Sequence, residues 1–410
     1  MDVYLVGGAV RDRLIGRPVN ERDWVVVAGT PAELESQGYR QVGKNFPVFL
    51  HPETGEEYAL ARTEKKTGPG YHGFDVYAGA DVTLEEDLQR RDLTINAIAE
   101  DSDGQLIDPW GGQQDLNDRV LRHVSDAFTE DPLRVLRVAR FAASLHEFQF
   151  RIAPETLTLM RDICRSGELD ALVPERVWQE TAKALRTKNP DVYFRTLREC
   201  GALAVIFPEV ERLFGVPQPE EWHPEVDTGE HIMLVLQQAA RLSDSLAVRF
   251  AGLVHDLGKG ATYPRYWPTH RGHEDTGVAL IEQLCNRLAV PNDCRDLGVH
   301  ASRFHTHVHR AGELRPATML KVIEQTDAFR RPERFEEFLL VCEADARGRT
   351  GLENRDYPQA DAFRAAFAAA AGVDNRALQA EGHTGAEFGE ALRKARVAAI
   401  AALGLQKKSD

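Results

Sequence analysis

Short runs of β-branched and apolar residues alternate with turn residues over the first hundred positions. The runs at Val3 to Val6, Trp24 to Val27, Phe46 to Leu50 and Tyr58 to Ala61 are typical of strands. From about Glu130 onward these runs disappear, and apolar residues recur every three or four positions, which is typical of helices. The pattern predicts an α+β fold in which the strands lie in the N-terminal part and the remainder is helical.

Clusters of Gly and Pro divide the helical part of the chain. Such clusters occur at Lys188 to Pro190, at Phe207-Pro208 and across Gly215 to Pro224, and they predict breaks between helical subdomains. Histidines are then concentrated from His231 to His309. The parts that we expect are a head at 1–125, a helical region at 126–225, a histidine-rich domain at 226–330 and a helical tail at 331–410.

Composition limits the partners and the compartment. Lys and Arg total 50 against 64 Asp and Glu, a net charge of −14, so a nucleic-acid partner requires a local basic patch. Five cysteines without a CxxC pair fit a reducing compartment. No apolar run approaches the roughly 20 residues that a membrane helix needs. We therefore expect a cytoplasmic protein without a membrane span, either a monomer or a homodimer.

A glycine turn joins the first predicted strand to the first predicted helix. Gly7 and Gly8 lack side chains, so their backbone N–H groups can approach an anion closely, and Arg11 follows one turn into the helix. The arrangement suits a nucleoside triphosphate. Taken alone, such a turn is more often only structural, so the interpretation depends on the residues that follow.

Three carboxylates follow on neighbouring predicted strands. Glu21 and Asp23 are two positions apart at the start of a strand, so their side chains share one face. Glu57 opens the next strand. Each acid alone more often faces water. Together with a phosphate-binding turn, they form a layout suited to two-metal phosphoryl transfer.

Four motifs occur in the order found in one known family. Gly7 to Asp12, Glu21 to Trp24, Arg90 to Ala97 and Glu130 to Phe141 resemble the class II tRNA CCA-adding enzymes, which are polymerase-β-like nucleotidyltransferases. The resemblance covers essentially the whole chain. It implies a head with a mixed sheet followed by a helical neck and body. It also implies template-independent addition and repair of the 3′-terminal CCA of tRNA from CTP and ATP with Mg²⁺. A mobile loop is expected at Thr63 to Phe74.

By this resemblance, Asp131 and Arg134 read the Watson–Crick edges of the incoming nucleotide. An Arg offers only donors and an Asp only acceptors, so the pair matches cytosine or adenine and leaves guanine and uracil mismatched. Their spacing also lets Asp131 hold Arg134. Alternatively, the arginines of this helix form a structural network. The nucleotide-binding residues predicted are Gly8, Arg11, Arg91, Asp131, Arg134, Arg137 and Arg140; the catalytic acids are Glu21, Asp23 and Glu57, with metal on Glu21 and Asp23.

Basic residues are concentrated between Arg176 and Glu199 in an otherwise acidic chain. This segment is our candidate for contacts with the phosphate backbone of tRNA, because recognition by shape needs no base-reading motif. The interleaved Trp178, Tyr193 and Phe194 have helical spacing and are expected in the core. The RNA-binding residues predicted are Arg176, Lys183, Arg186 and Lys188.

A His-Asp pair interrupts the apolar run from Ala251 to Lys259. Burying both side chains without a partner is costly. The pair and its spacing resemble the HD phosphohydrolases, whose metal is held by a His, an adjacent His-Asp and a later Asp. The resemblance implies a divalent transition metal, with Ni²⁺ as a candidate, and phosphatase, 2′-nucleotidase or 2′,3′-cyclic phosphodiesterase activity. The metal ligands predicted are His231, His255, Asp256 and, by distance, Asp327, with Asp345 as second choice; His255 and Asp256 are also the catalytic pair, and at most His305 joins a second metal.

Two other functions stay open on the sequence alone. A bacterial poly(A) polymerase shares the N-terminal motifs, but it typically carries a basic extension and lacks an intact HD set. Alternatively, the chain is an HD phosphohydrolase whose head only binds nucleotide or tRNA. One residue departs from the commonest family pattern, which has Asp at both metal positions where this chain has Glu21 and Asp23.

Overall fold

A computed structural model describes residues 1–42, 48–66, 74–380 and 382–405. The chain forms two compact units, residues 1–184 with 192–206 and residues 185–191 with 207–410. The four parts expected from the sequence remain a prediction. Over the described residues, the helices include none that combines the length and the apolar character required to cross a bilayer.

A seven-stranded mixed sheet organises the N-terminal part of the first unit, with strand order β3-β4-β5-β2-β1-β8-β9. Strands β2 and β5 run parallel, and the other neighbours are antiparallel. The strands are β1 (Asp2–Val6), β2 (Asp23–Val27), β3 (Arg40–Val42), β4 (Val48–Leu50), β5 (Glu57–Leu60), β8 (Ala99–Glu100) and β9 (Leu106–Ile107). Two smaller sheets pair β6 (Thr63–Lys66) with β7 (Phe74–Tyr77), and β10 (Val120–Leu121) with β11 (Arg151–Ile152).

Alternating side chains of the sheet enter two separate apolar clusters. On β2, Val25 packs in one cluster with Val6 and Leu88, whereas its neighbour Val26 packs in the other with Phe49. Successive strand residues point to opposite faces, which explains this division. The sheet is therefore covered on both faces and is a rigid support for side chains at its edges.

Helices complete the first unit and form nearly all of the second. Those up to residue 206 are α1 (Gly8–Leu14), α2 (Pro31–Ser36), α3 (Leu84–Gln89), α4 (Gly112–Asp118), α5 (Leu133–Ser144), α6 (Pro154–Ser166), α7 (Pro174–Leu185), α8 (Pro190–Cys200) and α9 (Ala202–Ile206). Those that follow are α10 (Pro208–Glu211), α11 (Thr228–Leu242), α12 (Leu246–Val254), α13 (His273–Arg287), α14 (Asn292–His309), α15 (Pro316–Gln325), α16 (Pro332–Arg347), α17 (Pro358–Ala371), α18 (Asn375–Ala380) and α19 (Gly385–Ala401).

The α+β prediction is confirmed, with two differences of detail. The short strand β11 lies after Glu130, where we expected helices only, because it pairs in parallel with β10. The segment Thr63 to Phe74, expected as a loop, contains β6 and the start of β7. The rest of that prediction falls on residues 67–73, which lie outside the described residues.

Candidate functional sites

Three strand ends meet at one edge of the large sheet. Val6, at the end of β1, pairs with Asp23 at the start of β2, and Asp23 lies beside Glu57 at the start of β5. Gly7 follows β1 directly with φ +71°, and a Cβ there would lie 3.1 Å from Arg91 Nη1. The positive φ favours glycine, and a Cβ would also require the tip of Arg91 to shift slightly. The glycine turn and the carboxylates therefore share one edge.

A cavity of about 840 Å³ opens at this edge. It brings together Glu21, Asp23, Glu57 and all seven residues predicted to bind nucleotide. Over the described part of the chain, the three carboxylates are absent from the sets whose ligand atoms lie within 4.8 Å of one another. The acids thus face one cavity without forming a closed cluster.

Arginines of α1 and α5 also line the cavity, each held by a partner. Arg11 is 7% exposed, and its Nη1 donates to Asn96 Oδ1 at 2.6 Å. Arg137 Nε donates to Asp92 Oδ2 at 2.8 Å. Arg140 Nε donates to Glu180 Oε2 at 2.5 Å, and its guanidinium lies 4.2 Å from the centre of the Phe141 ring.

The predicted base-reading pair is fixed by other residues. Asp131 Oδ2 accepts a hydrogen bond from Arg176 Nη2 at 2.9 Å, and Arg134 donates to the carbonyls of Ala127 and Arg90. Our expectation that spacing makes Asp131 the partner of Arg134 therefore missed the contact that holds Asp131. The partner comes from α7, forty-five positions along the chain, and local spacing does not reveal it.

Burial and charge act on the carboxyls of this cavity in opposite directions. Burial opposes ionisation of Asp92, but Arg137 and the Asn96 amide outweigh it and hold the pKa of Asp92 well below its usual range. At Asp23, burial raises the pKa, Arg91 opposes the rise and Glu21 adds to it. Arg91 therefore does not fully offset the cost of charging Asp23, and a cation beside Asp23 would favour its charged form.

Four buried histidines of the second unit share one hydrogen-bonding arrangement. In each, Nδ1 lies within 3.0 Å of a backbone carbonyl oxygen, which can only accept. Each Nδ1 must therefore carry a proton, and in the neutral ring Nε2 then has a free lone pair. The histidines and their carbonyl partners are His231 with Gly348, His255 with Gly252, His273 with His270, and His305 with Ala301.

The free Nε2 atoms converge on two buried carboxylates. Asp345 lies 3.1 Å from His231 Nε2 and 3.7 Å from His255 Nε2. Asp256 lies 3.4 Å from both His255 Nε2 and His273 Nε2 and 3.5 Å from His305 Nε2. His255 Nε2, His273 Nε2 and Asp256 Oδ1 are buried without a well-formed hydrogen bond. In the neutral rings, these Nε2 atoms and the carboxylate oxygens are all electron-pair donors, and each Nε2 lies 3.1–3.7 Å from a carboxylate oxygen. Such an arrangement suits a metal cation between them.

Asp345, and not Asp327, completes this cluster. Asp327 lies in the turn after α15, where its carboxylate accepts from Arg330 Nε at 2.7 Å and lies 3.5 Å from Arg334 Nη2. The choice of Asp327 by distance along the chain is therefore corrected to Asp345. A signal was available, because Phe338, Cys342 and Asp345 follow one another at helical spacing on the buried face of α16.

Further polar residues that were not assigned from the sequence support this cluster. Lys259 Nζ lies 2.6 Å from Asp256 Oδ2. His309 Nε2 lies 2.6 Å from Asp345 Oδ2, and its Nδ1 lies 2.7 Å from Tyr357 Oη. Glu225 Oε1 lies 3.0 Å from His231 Nδ1. Lys259 follows Asp256 by three positions, so its contact is local, whereas the other contacts join separate helices and loops and sequence spacing gave no signal for them.

The predicted RNA-binding residues fall into two places. Arg176 and Lys183 line the cavity of the first unit. Arg186 and Lys188 are exposed residues of the second unit, in the segment between α7 and α8. The aromatic residues among them are core residues, as expected, since Trp178, Tyr193 and Phe194 are at most 8% exposed.

Comparison with known proteins finds three family models along the chain. The poly A polymerase head domain matches residues 3–122, and a probable RNA and SrmB-binding site of polymerase A matches 149–214. The HD domain matches residues 228–347. The last match includes all four histidines with the shared arrangement and both buried carboxylates.

Similarity to individual proteins extends over nearly the full length. The chain is 63% identical over 400 residues to the multifunctional CCA protein of Nitrosococcus oceani, covering 98% of each. The CCA-adding enzyme of Bacillus stearothermophilus in complex with CTP has a TM-score of 0.65 at 22% identity, covering 98% of this chain and 89% of that one. The Thermotoga maritima CCA-adding enzyme complexed with tRNA has a TM-score of 0.63 at 21% identity, covering 100% and 88%.

Proposed function

Because the chain belongs to the family of the multifunctional CCA proteins, we propose that its first unit adds CMP and AMP to the 3′ end of tRNA and its second unit hydrolyses phosphoesters. The observation that carries the first activity is the meeting of the glycine turn, Asp23 and Glu57 at one sheet edge, in a cavity that the arginines of α5 also line. The observation that carries the second is the convergence of four histidine Nε2 atoms on Asp256 and Asp345.

In the first unit, Glu21 and Asp23 would hold Mg²⁺, since carboxylate oxygens are its preferred protein ligands, and Glu57 is a further catalytic carboxylate beside them. When bound, the ion would lower the pKa of the tRNA 3′-hydroxyl and stabilise the triphosphate charge. The backbone at Gly8 and the guanidinium of Arg11 hold the triphosphate, with Arg91 beside the turn. These residues position the reacting phosphorus near the acids.

Base selection in this proposal depends on Asp131 and Arg134. Each is fixed before nucleotide arrives, Asp131 by Arg176 and Arg134 by two backbone carbonyls. Groups fixed in this way lose little freedom on binding, so a base with the wrong donor and acceptor pattern leaves them unpaired at a cost. Arg137 and Arg140, held by Asp92 and Glu180, keep the wall of the cavity positive.

In the second unit, His231, His255, Asp256 and Asp345 would hold a divalent transition metal such as Ni²⁺, and His273 and His305 offer further ligands beside Asp256. When bound, the metal would activate a water molecule and polarise a phosphoryl oxygen. Lys259 lies beside Asp256 and lines the adjoining cavity, where its charge suits a substrate phosphate. Hydrogen bonds from each Nδ1 to the backbone keep the rings oriented.

Transfer RNA would reach the first unit along Arg176 and Lys183, with Arg186 and Lys188 as further candidates for backbone phosphates. A tRNA substrate also favours a cytoplasmic location. The division into four parts at 1–125, 126–225, 226–330 and 331–410 belongs to the same proposal.

Incubation with tRNA lacking its 3′ end, labelled CTP or ATP, and Mg²⁺ tests the first activity. We expect two C residues and one A residue to be added and extension to stop. Unlimited addition of A would identify a poly(A) polymerase instead. No addition, with phosphoester hydrolysis intact, would leave a hydrolase whose head only binds nucleotide or tRNA.

Reconstitution of metal-free protein tests the second activity. We expect hydrolysis of a 2′,3′-cyclic nucleotide or a 2′-nucleotide to return with a transition metal. Metal analysis should then find the ion in the wild-type protein. Absence of hydrolysis with every divalent metal tried would refute the phosphohydrolase proposal and leave nucleotide addition untouched.

A further inference from the structure

A cavity of about 500 Å³ adjoins the metal-ligand cluster of the second unit. His273 and Lys259 reach it from the cluster side, and Arg310, Arg349 and Arg355 add positive charge to its wall. These cations suit a phosphoester. They do not explain what else the cavity recognises in its substrate.

Two loops form the apolar side of the cavity and are joined to each other. One loop spans 217–227 and contributes Trp222, and the other spans 262–270 and contributes Pro268. His270 joins them, because its Nε2 lies 2.8 Å from the Pro217 carbonyl oxygen while its Nδ1 lies 2.7 Å from Thr262 Oγ1. His270 is 1% exposed, so the joint is internal. The two loops therefore present one continuous rim.

Exposed aromatic residues are concentrated on this rim. Among the described residues, four aromatic side chains are strongly exposed, namely Tyr77 at 55%, Trp222 at 59%, Tyr263 at 68% and Tyr266 at 42%, and three of them belong to the two loops. Single exposed apolar side chains are normal, but several grouped on one surface mark an interaction site. Their concentration on loops beside a cavity that three arginines line indicates a ligand with aromatic groups.

An arginine lies among these rings. The Arg265 guanidinium is 5.4 Å from the centre of the Tyr263 ring and 4.8 Å from that of Tyr266. Exposed aromatic rings interleaved with arginine are the surface on which single-stranded nucleic acids stack their bases. Positive charge comes from Arg265 and from the cavity wall at Arg310, Arg349 and Arg355, whereas Trp222 follows the exposed acids Glu220 and Glu221.

We propose that Trp222, Tyr263, Arg265 and Tyr266 form a stacking platform for the last bases of a single-stranded RNA, whose terminal phosphoester enters the cavity. The inference rests on the proposed phosphohydrolase function and names its substrate class. For a 2′,3′-cyclic phosphate end, water adds its oxygen to phosphorus, one ring P–O bond breaks, and the freed ribose oxygen takes a proton from that water. The site then prefers RNA ends to free mononucleotides.

Three substrates with the same five-membered cyclic phosphate separate the platform from the chemistry. They are a tetrauridylate that ends in a 2′,3′-cyclic phosphate, 2′,3′-cyclic UMP, and glycerol 1,2-cyclic phosphate, which has no base. The variants are Trp222→Leu, which removes the ring but keeps apolar bulk, Trp222→Phe, which keeps a ring, and the double variant Tyr263→Leu/Tyr266→Leu. Tyr77→Leu is the matched control, since it removes an exposed tyrosine of the first unit.

We expect Trp222→Leu and the double tyrosine variant to raise KM for the tetrauridylate roughly tenfold, with kcat within about twofold. Hydrolysis of glycerol 1,2-cyclic phosphate should be unchanged in both, and Trp222→Phe and Tyr77→Leu should behave like the wild type. An unchanged KM for the tetrauridylate in both platform variants would overturn the proposal.

Binding of labelled tetrauridylate, measured in parallel by fluorescence anisotropy, separates the two ways in which the idea can fail. If the wild type hydrolyses none of the three substrates with any metal, the phosphohydrolase function is refuted. The platform is then decided by affinity alone. Equal affinity in the wild type and both platform variants overturns it, and roughly tenfold weaker binding in both supports it.

Discussion

The side chain of Glu21 is one methylene longer than the aspartate that would otherwise occupy this position among the acids of the first unit. An extra carbon moves a carboxylate by roughly 1.5 Å, whereas two-metal chemistry needs ions about 3.5–4 Å apart. We therefore expect Glu21→Asp to preserve or raise the rate of nucleotide addition. Glu21→Gln keeps the shape but removes the charge, and should lower that rate at least on the order of a hundredfold. Single-turnover addition to tRNA lacking its CCA end measures both.

A Gln variant that adds nucleotides at close to the wild-type rate would show that Glu21 is not a metal ligand. Asp23 would then act with Glu57, beside which it lies in the parallel register of β2 and β5.

Asp345 and Asp327 are a matched pair for testing the metal cluster, because both are aspartates of the second unit with basic partners. Asp345 is 3% exposed and lies against His231, whereas Asp327 bonds to arginines at the surface. Asp345→Asn should lose most of the bound transition metal and lower phosphoester hydrolysis more than a hundredfold. Asp327→Asn should keep both. Metal content by mass spectrometry and kcat for a cyclic nucleotide are the measurements.

If circular dichroism shows that both variants are folded and their metal contents are equal, Asp345 is not a metal ligand. A loss confined to Asp327→Asn would restore the choice made by distance along the sequence.

At the scale of the element, α5 is tied to the head by the ion pair of Arg137 with Asp92. The pKa of the Asp92 carboxyl is lower in the folded protein than its value of about 3.9 in the unfolded chain. The ion pair therefore stabilises the fold fully at pH values above that unfolded-state pKa, and this stabilisation is lost as the pH falls. The Arg137 side chain is 37% exposed, and solvent screens the pair. Asp92→Asn should therefore cost about 1–2 kcal/mol near pH 7, less than the roughly 3–5 kcal/mol of a fully buried pair.

Urea unfolding of the full chain, followed by tryptophan fluorescence at pH 7 and at pH 3.5, measures this difference. The gap between the free energies of unfolding of the wild type and Asp92→Asn should be smaller at pH 3.5 than at pH 7. Asp118→Asn, on the exposed side of α4, is the control and should stay within about 0.5 kcal/mol of the wild type at both. A gap that is the same at both pH values would show that the charge of Asp92 does not stabilise the fold.

Elements with a strong local pattern could be predicted from the sequence, and their partners could not. The strand runs and the start of α5 after Pro132 follow from residue type and spacing. The pairing of Asp131 with Arg176, and the choice of Asp345 over Asp327, depend on which helices pack together. That packing is a property of the folded chain, and a helical period alone carries no information about it. The helical period does indicate that Asp345 lies on a buried face of α16. Choosing the last metal ligand by its distance along the chain ignored this local signal.

For the whole molecule, the two candidate sites are built from different units and have different ligand chemistry. The acids of the first unit offer oxygen ligands only, which favours Mg²⁺. The cluster of the second unit combines imidazole nitrogens with carboxylates, which favours a transition metal. We therefore expect each site to have its own metal requirement and to lose its activity when its own ligands are replaced.

Single substitutions should then separate the two activities. Asp23→Ala removes a carboxylate at the sheet edge and should abolish nucleotide addition while leaving phosphoester hydrolysis within about twofold. His255→Ala removes a buried ligand and should do the reverse. Because His255 is fully buried, the alanine variant can lose stability by removing one of the partners of the buried Asp256 and leaving a cavity. Asp345→Asn serves as a second, nearly isosteric variant of the same site, and thermal unfolding shows which variants are folded.

Metal-free wild type completes the test, since Mg²⁺ alone should restore nucleotide addition and a transition metal should be needed for phosphoester hydrolysis. If either folded variant lost both activities, or if one ion restored both to the same extent, the sites would share a function and the separation drawn from their ligands would be wrong.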